Sequence, residues 1–411
     1  MLLNQGTRIT MKIISPYGVA VTVLACISFA TGCSSQSRTV QTEQSLLTQR
    51  AENEIAQREV FDRAVERLVD RVAAETSSTN DPVTVDLLAM SGGGDYGAFG
   101  AGFLVGWGQS TDASYRRPQF DAVTGVSTGA LLAPFAFLGT DQSCESVEHF
   151  YRNPQKDWVT SRWLFFLPKN PSFMTIPGLE REIGAAVDDT IIRALATESA
   201  KGRVLFIAAT NLDTGTQHFW NLGAEAAKSI ENGDSQRVRK ILLASAAIPA
   251  IFPPVVIDGT AYADGGVTAN VFLRLDPEAP DGFQNVWRRK YPDLPKPKMR
   301  YWIIINNQLY QPPKTVQPRW PAVMSPSLGT AIRSATMAEV RWLAAQAKYA
   351  NAAFDANIEV RVVAIPDEWR PPVPGDFKQE TMESLTDLGR KLGAEKSSWQ
   401  LWVAPKGSSG A

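Results

Sequence analysis

Histidine is almost missing from this sequence: its 411 residues include only His149 and His218. A mechanism that relies on a histidine base therefore has two candidates and no more. Cysteine is nearly as scarce, at Cys26, Cys33 and Cys144. Cys26 would leave with an N-terminal leader and Cys33 would carry lipid, so only Cys144 would remain as a free thiol, no internal disulfide is expected, and the fold must be held by its core. A surplus of one charge is lacking as well, with 41 Lys and Arg against 42 Asp and Glu. No global field then favours nucleic acid or an anionic surface. No cluster of His, Cys and carboxylates has metal-ligand spacing, so neither a metal nor another cofactor is expected.

Long apolar runs are also few. The prominent one, Val19 to Ala30, is short for a transmembrane helix. It follows Met11-Lys12 and leads into Ala30-Thr31-Gly32-Cys33, with Ser34, Ser35 and Gln36 after it, and so reads as a signal-peptide core. The small residues before Cys33 resemble the lipobox of bacterial lipoproteins, in which the cysteine is cut free and lipidated, although Ala30 stands where that motif more often has leucine. An ordinary secretory signal is the alternative, and both readings export the chain. The expected place is the outer membrane, as a lipoprotein, or the periplasmic face of the membrane.

Apolar residues make up 44% of the chain, enough to build a substantial core beyond the leader. Residues 34 to 55 are polar and suit a tether. Phe61, Val65, Leu68 and Val72 then recur at helical spacing, predicting an amphipathic helix over about Ile55 to Ala74 that docks on the domain's own core. Val83 to Met90, Val204 to Thr210, Tyr301 to Asn306 and Ile358 to Ile365 read as strands, with helices between and after them at Cys144 to Tyr151, Arg237 to Ala247, Leu328 to Tyr349 and Lys378 to Leu392. This alternation predicts an α/β fold, a three-layer α/β/α sandwich around a mainly parallel central sheet. The expected organisation is a leader over 1–33, tether and helix over 34–80, a catalytic core over 81–275, and a continuation of the same domain over 276–411. Residues 157 to 178 are rich in aromatics, among them Trp158, Trp163, Phe165, Phe166 and Phe173. They serve either as aromatic core under a loop or as a flap over an acyl chain.

Phe120 to Leu132 carries the chemistry. An apolar stretch runs into Gly125-Val126-Ser127-Thr128-Gly129 and on into Ala130-Leu131-Leu132. This is the pattern of a nucleophile elbow, a serine on a tight strand-to-helix turn with Gly125 and Gly129 allowing the chain to fold closely. Ser127 is the candidate nucleophile. Upstream, Gly92-x-Gly94-x-x-Gly97 follows a strand and opens a helix, which fits two readings. A dinucleotide site wants an acidic residue ending the next strand about 20 residues on, and that strand ends instead at Ser127. An oxyanion loop uses the N–H groups of Gly93, Gly94 and their neighbours to face developing negative charge.

A serine nucleophile needs a base. In the α/β-hydrolase order the histidine comes last, after an acid, and none follows position 218. A hidden Asp213/His218 pair is one option. The other is Asp264, at the mouth of a short strand and followed by Gly265-Gly266. A carboxylate is a weak base, ordinarily near 3.9, and works only when packed against the hydroxyl in a partly dry site.

The glycine loop, the elbow and Asp264-Gly265-Gly266, in that order, resemble the patatin-like phospholipase family. Ala208 to Gly215, Ala244 to Pro254, and Tyr262 to Val267 with Asn270 resemble family segments too, so the likeness covers about residues 83–275. It implies a patatin-like fold and a Ser–Asp dyad without histidine, with Ser127 as nucleophile and Asp264 as base. Gly92, Gly93 and Gly94, closed by Gly97, would form the oxyanion loop. The implied activity is a serine acyl hydrolase of phospholipase A or lipase type, acting on lipid through an acyl-enzyme; the lipobox-like leader adds the membrane as partner through an N-terminal anchor. One departure matters: the family often has Arg or Lys before the last glycine of the loop, and here that residue is Tyr96, after Asp95. A neutral acyl ester or thioester then competes with phospholipid as substrate. An esterase or thioesterase for small substrates, and a lipid-binding lipoprotein without activity, are the competing expectations.

Overall fold

The computed structural model describes residues 38–79, 82–112, 115–162, 170–313 and 315–404. The leader, Cys33 and the aromatic run Trp163 to Leu167 lie outside the described residues.

A long helix, α1 (Glu43–Thr79), precedes β1 (Thr84–Met90), and the glycine loop leads from β1 into α2 (Gly97–Gly108). Next come β2 (Ala122–Val126), α3 (Thr128–Leu138) and α4 (Asp141–Arg152), then a small ribbon of β3 (Thr160–Ser161) and β4 (Met174–Thr175). Two helices, α5 (Pro177–Ala186) and α6 (Asp189–Ala200), lead to the hairpin of β5 (Val204–Asn211) and β6 (Thr216–Asn221). After α7 (Leu222–Asn232) and α8 (Gln236–Ser245) comes a second hairpin, β7 (Val255–Ile257) and β8 (Thr260–Asp264). The remainder is α9 (Phe283–Lys290), β9 (Lys298–Gln308), α10 (Trp320–Phe354), β10 (Ile358–Ile365), α11 (Gln379–Ala394) and β11 (Gln400–Val403).

The strands sort their side chains between two apolar layers with the two-residue period of extended chain. Val85 and Ala89 of β1 enter one layer, Leu88 and Met90 the other; β9 does the same with Ile303 and Ile305 against Trp302 and Ile304. Strands buried on both faces carry apolar residues at nearly every position, which made them legible as continuous runs. Helices α2, α3, α4 and α11 cover one face, and α1, α9 and α10 the other. The sheet order is β11-β10-β9-β1-β2-β5-β8-β7, with β6 also on β5. Strands β10, β9, β1, β2 and β5 are mutually parallel, and the peripheral β11, β6, β7 and β8 run against their neighbours. The result is the three-layer α/β/α sandwich that the alternation predicts.

Two boundaries differ from expectation. Residues 43 to 54, read as tether, continue α1: they contain Leu, Gln, Arg, Ala and Glu with no Gly or Pro, and such residues extend a helix even where most of them face solvent. Burial begins only at Ala64 and follows helical spacing through Val65, Leu68, Val69 and Val72. Helix α10 starts at Trp320 rather than Leu328, because Pro321 sits in its first turn, where a missing N–H costs nothing, and Pro326 is accommodated early in the helix. The C-terminal part is tied in by α11. Gly389 and Gly393 lie against the carbonyl oxygens of Phe99 and Phe103 of α2, too close for any side chain. No described helix is long and apolar enough to cross a membrane.

Candidate active site

The site is made by two strands that share one edge of a third. Strand β6 occupies an edge of β5 from Phe206 to Asn211. Strands β2, paired with Val204 to Ala208, and β8, paired with Ala209 to Asn211, therefore both lie on the opposite edge. They arrive from opposite directions: β2 ends with Val126 beside Ala208, and β8 ends with Asp264 beside Ala209. Ser127 and Asp264, 137 positions apart, thus meet where the strand ends abut, and Ser127 Oγ donates to Asp264 Oδ2 at 2.5 Å.

Ser127 has φ 55° and ψ −125°, a positive φ that a side-chain-bearing residue holds only when its surroundings enforce it. The enforcement is visible. Gly129 lies against the carbonyl oxygens of Met90 and Ser91, and Gly125 against Gly129 and Ala130, so a Cβ at either glycine would push the turn apart. The Ser127 N–H donates to Ser245 Oγ at 3.0 Å, and the Ser245 hydroxyl donates in turn to the Ala208 carbonyl at 2.6 Å. Helix α3 then starts at Thr128, so the positive end of its dipole lies beside the hydroxyl.

The glycine loop closes over the elbow. Ser91 is pinned by Asn306, whose N–H donates to Ser91 Oγ at 2.9 Å and whose Nδ2 donates to the Ser91 carbonyl at 2.8 Å. Gly94 has φ +63° with open space where a Cβ would stand, so conformation rather than crowding demands glycine there. Gly92, Gly93 and Gly94 do not contribute alike. The Gly92 N–H is committed to Asn270 Oδ1 at 3.0 Å, whereas those of Gly93 and Gly94 meet no acceptor among the described residues. Asn270 is itself fixed from α10: its Nδ2 donates to Thr336 Oγ1 at 2.8 Å, and the N–H groups of Asn270 and Val271 donate to the Glu339 carboxylate at 3.1 and 2.8 Å. Thr336 and Glu339 were missed in the sequence. They lie inside an ordinary helical pattern, with no local motif to mark them.

Burial pushes the Asp264 carboxyl up to about 6, against the downward pull of hydrogen bonds from Ser127 and from the Gly266 N–H at 2.8 Å. Asp95, in the turn after the glycine loop, is likewise lifted by burial to about 6 while accepting the Phe377 N–H at 2.9 Å. The histidines stand elsewhere. His218 lies on β6 against Trp220 and Tyr262, where burial pushes it down to about 4, and Asp213 pairs with Arg38 rather than with it. His149 contacts Asn153 at 3.1 Å. Neither histidine lines the cleft, so the Asp213/His218 option has no geometry behind it.

That cleft, about 790 Å³, is lined by Ser127, Asp264 and the glycine loop on one side and by apolar groups such as Val159, Ile248, Ile251 and Leu328 on the other. Trp158 and Met174 of the aromatic segment border it, and Trp158 belongs to the core at 3% exposed. A second hollow of about 90 Å³ under α1 is lined mainly by aliphatic and aromatic groups and includes neither Ser127 nor Asp264. Among the described residues no group of three His, Cys, Asp or Glu is placed to hold a metal ion. Cys144 is buried and its thiol is pushed up to about 11, which leaves it unreactive. A hydroxyl hydrogen-bonded to a buried carboxylate, beside two unengaged N–H groups, has the parts needed to attack an acyl carbon and hold the oxyanion that forms.

Residues 88–276 match the model of the patatin-like phospholipase family. Among solved structures, VipD from Legionella pneumophila aligns with 78% of this chain and 68% of its own length, at 10% identity and a TM-score of 0.33. No curated protein matches the chain in sequence.

Proposed function

We propose that this chain, which carries a patatin-like phospholipase domain over residues 88–276, is an exported serine acyl hydrolase that cleaves lipid esters through a Ser127–Asp264 dyad. The family implies lipid acyl hydrolysis; the finer reading rests above all on the 2.5 Å hydrogen bond between Ser127 Oγ and Asp264 Oδ2 at the floor of the cleft. Asp264 takes the hydroxyl proton as Ser127 Oγ bonds to the acyl carbon, and the carbonyl oxygen becomes an oxyanion under the N–H groups of Gly93 and Gly94. Collapse expels the alcohol, which receives the proton from Asp264. Water then loses a proton to Asp264, attacks the acyl-enzyme and releases the fatty acid, and the proton returns to Ser127. An aspartate lifted to about 6 is a better base at neutral pH than an exposed one, because its proton affinity lies nearer the working pH. The leader ending at Cys33 supports export and a lipid anchor, which would hold the enzyme beside its substrate.

The test is fatty-acid release from phospholipids, diacylglycerols, p-nitrophenyl esters and acyl-coenzyme A by wild type, Ser127→Ala and Asp264→Asn, with fluorophosphonate labelling of Ser127. Loss of turnover by at least about a thousandfold in both variants is expected. Equal turnover in all three would overturn the dyad, and no turnover with no labelling of a folded wild type would leave a lipid-binding protein without activity.

A further inference from the structure

The cleft contains a guanidinium that the dyad does not use. Arg333, from α10 and so outside the family match, lines it together with Ser127 and the glycine loop. Its Nε and Nη2 donate to Asn307 Oδ1 at 3.2 and 2.8 Å and its Nη1 to Gln311 Oε1 at 3.3 Å. Both acceptors are neutral. Arg71, Arg203 and Arg300, buried or half-buried elsewhere in the fold, each face a carboxylate; Arg333 makes no ion pair among the described residues. Asp367 acts on it through space only, from an exposed position where it accepts the Tyr310 N–H. The charge is thus held in place, half out of water, and left unneutralised. Three of its five N–H donors are engaged, and two remain.

Its reach is set by the same helix that positions the loop. Thr336, one turn along α10, holds Asn270, which holds Gly92, and Gly92 packs directly against Ser127. The chemistry that suits two free guanidinium N–H groups in a half-dry cleft is a compact oxyanion, with phosphate the best geometric match. We infer that Arg333 binds the phosphate of an acyl substrate whose ester lies at Ser127, so that the enzyme prefers phosphate-bearing acyl compounds over neutral ones. This rests on the acyl hydrolase reading. It also reverses the expectation drawn from Tyr96: the loop has no cation, but α10 delivers one to the same cleft. The carboxylates facing the cleft are Asp95, Asp264 and Asp376, and Lys156 and Lys378 stand at its exposed rim, so the bound phosphate is sited at Arg333 rather than along a uniformly basic wall.

The experiment compares wild type, Arg333→Gln and Arg333→Lys on phosphatidylglycerol micelles, on diacylglycerol with the same chains, and on acyl-coenzyme A. The ratio of kcat/KM for phosphate-bearing over neutral substrate is expected to fall about ten- to a hundredfold in Arg333→Gln and to recover in part in Arg333→Lys. The melting temperature should stay level or rise, because a desolvated unpaired charge is removed. A larger fall on acyl-coenzyme A than on phospholipid places the phosphate on a soluble carrier, and the reverse places it on a lipid headgroup; both sustain the assignment. An unchanged ratio, or equal losses on all substrates, overturns it. Binding of an uncleavable ether phospholipid against an ether glyceride, measured in a Ser127→Ala background, separates the two claims. An Arg333-dependent preference without any wild-type turnover keeps the subsite and rejects the hydrolase, whereas turnover without that preference does the opposite.

Discussion

Asp264→Asn separates two properties that the fold ties together, stability and reactivity. The carboxyl is 6% exposed, and burial lifts it from 3.8 to about 6. Because the folded value lies above the unfolded one, the folded state holds the proton more tightly. Below pH 3.8 both states are protonated and the group costs nothing; stability is lost as pH rises from there, and the loss is complete above about 6. At about 1.4 kcal/mol per pH unit the full cost is roughly 3 kcal/mol. Asparagine keeps the shape, accepts the Gly266 N–H through its oxygen and donates its amide to Ser127 Oγ, so no buried polar atom is stranded. At pH 8 the variant is therefore expected to be more stable than wild type by up to roughly 3 kcal/mol, or about 3–4 °C in Tm for a chain of this length. The gain should shrink through pH 6 and vanish near pH 4, while hydrolysis is lost throughout. Denaturant unfolding and calorimetry at pH 8, 6 and 4.5 measure it. A variant less stable than wild type at pH 8, or a difference that ignores pH, would refute the claim that a charged carboxylate is buried here at a cost in stability.

Three further outcomes are expected. The pH profile of kcat/KM should climb about tenfold per unit up to about pH 6 and level off above it, since in the proposed dyad only ionised Asp264 accepts the serine proton; Asp95, also near 6, borders the cleft, so the same limb must persist in Asp95→Asn. Gly129→Ala sets a Cβ against two backbone carbonyls and should cost about 3 kcal/mol or more in urea unfolding, whereas Gly94→Ala has open space and only its φ of +63° to bear, costing about 1 kcal/mol. Glu339→Ala releases the N–H groups of Asn270 and Val271 and should lower both kcat, about tenfold, and stability, by about 2 kcal/mol, with Glu339→Gln recovering part because it retains an acceptor.

The strands β1, β5, β9 and β10 were legible because strands buried on both faces are apolar at nearly every position. Elements without such a run were not all legible: α5, α6, α7, α9 and β11 carry too little apolar signal to stand out from loops. The elbow was legible for a different reason. Its glycines answer to backbone contacts within a few residues of Ser127 or in the neighbouring strand end, and that crowding admits no other residue type. The loop was legible in outline only, since the engagement of Gly92 by Asn270 depends on a segment 178 positions away.

The sequence by itself determined the local chemistry: a serine on a strained turn, an aspartate before two glycines, and a glycine loop between a strand and a helix. Each is a property of a few adjacent residues, set by φ, ψ and the absence of Cβ atoms. Only the tertiary structure decided what these pieces do together. Strands β2 and β8 meet end to end because β6 already occupies the other edge of β5, and that shared edge brings Ser127 to Asp264. The surrounding layers then exclude water and lift the carboxylate, and α10 delivers Arg333 to the cleft from outside the matched domain. Desolvation and long-range strand pairing are properties of the packed molecule, and no stretch of sequence carries them alone.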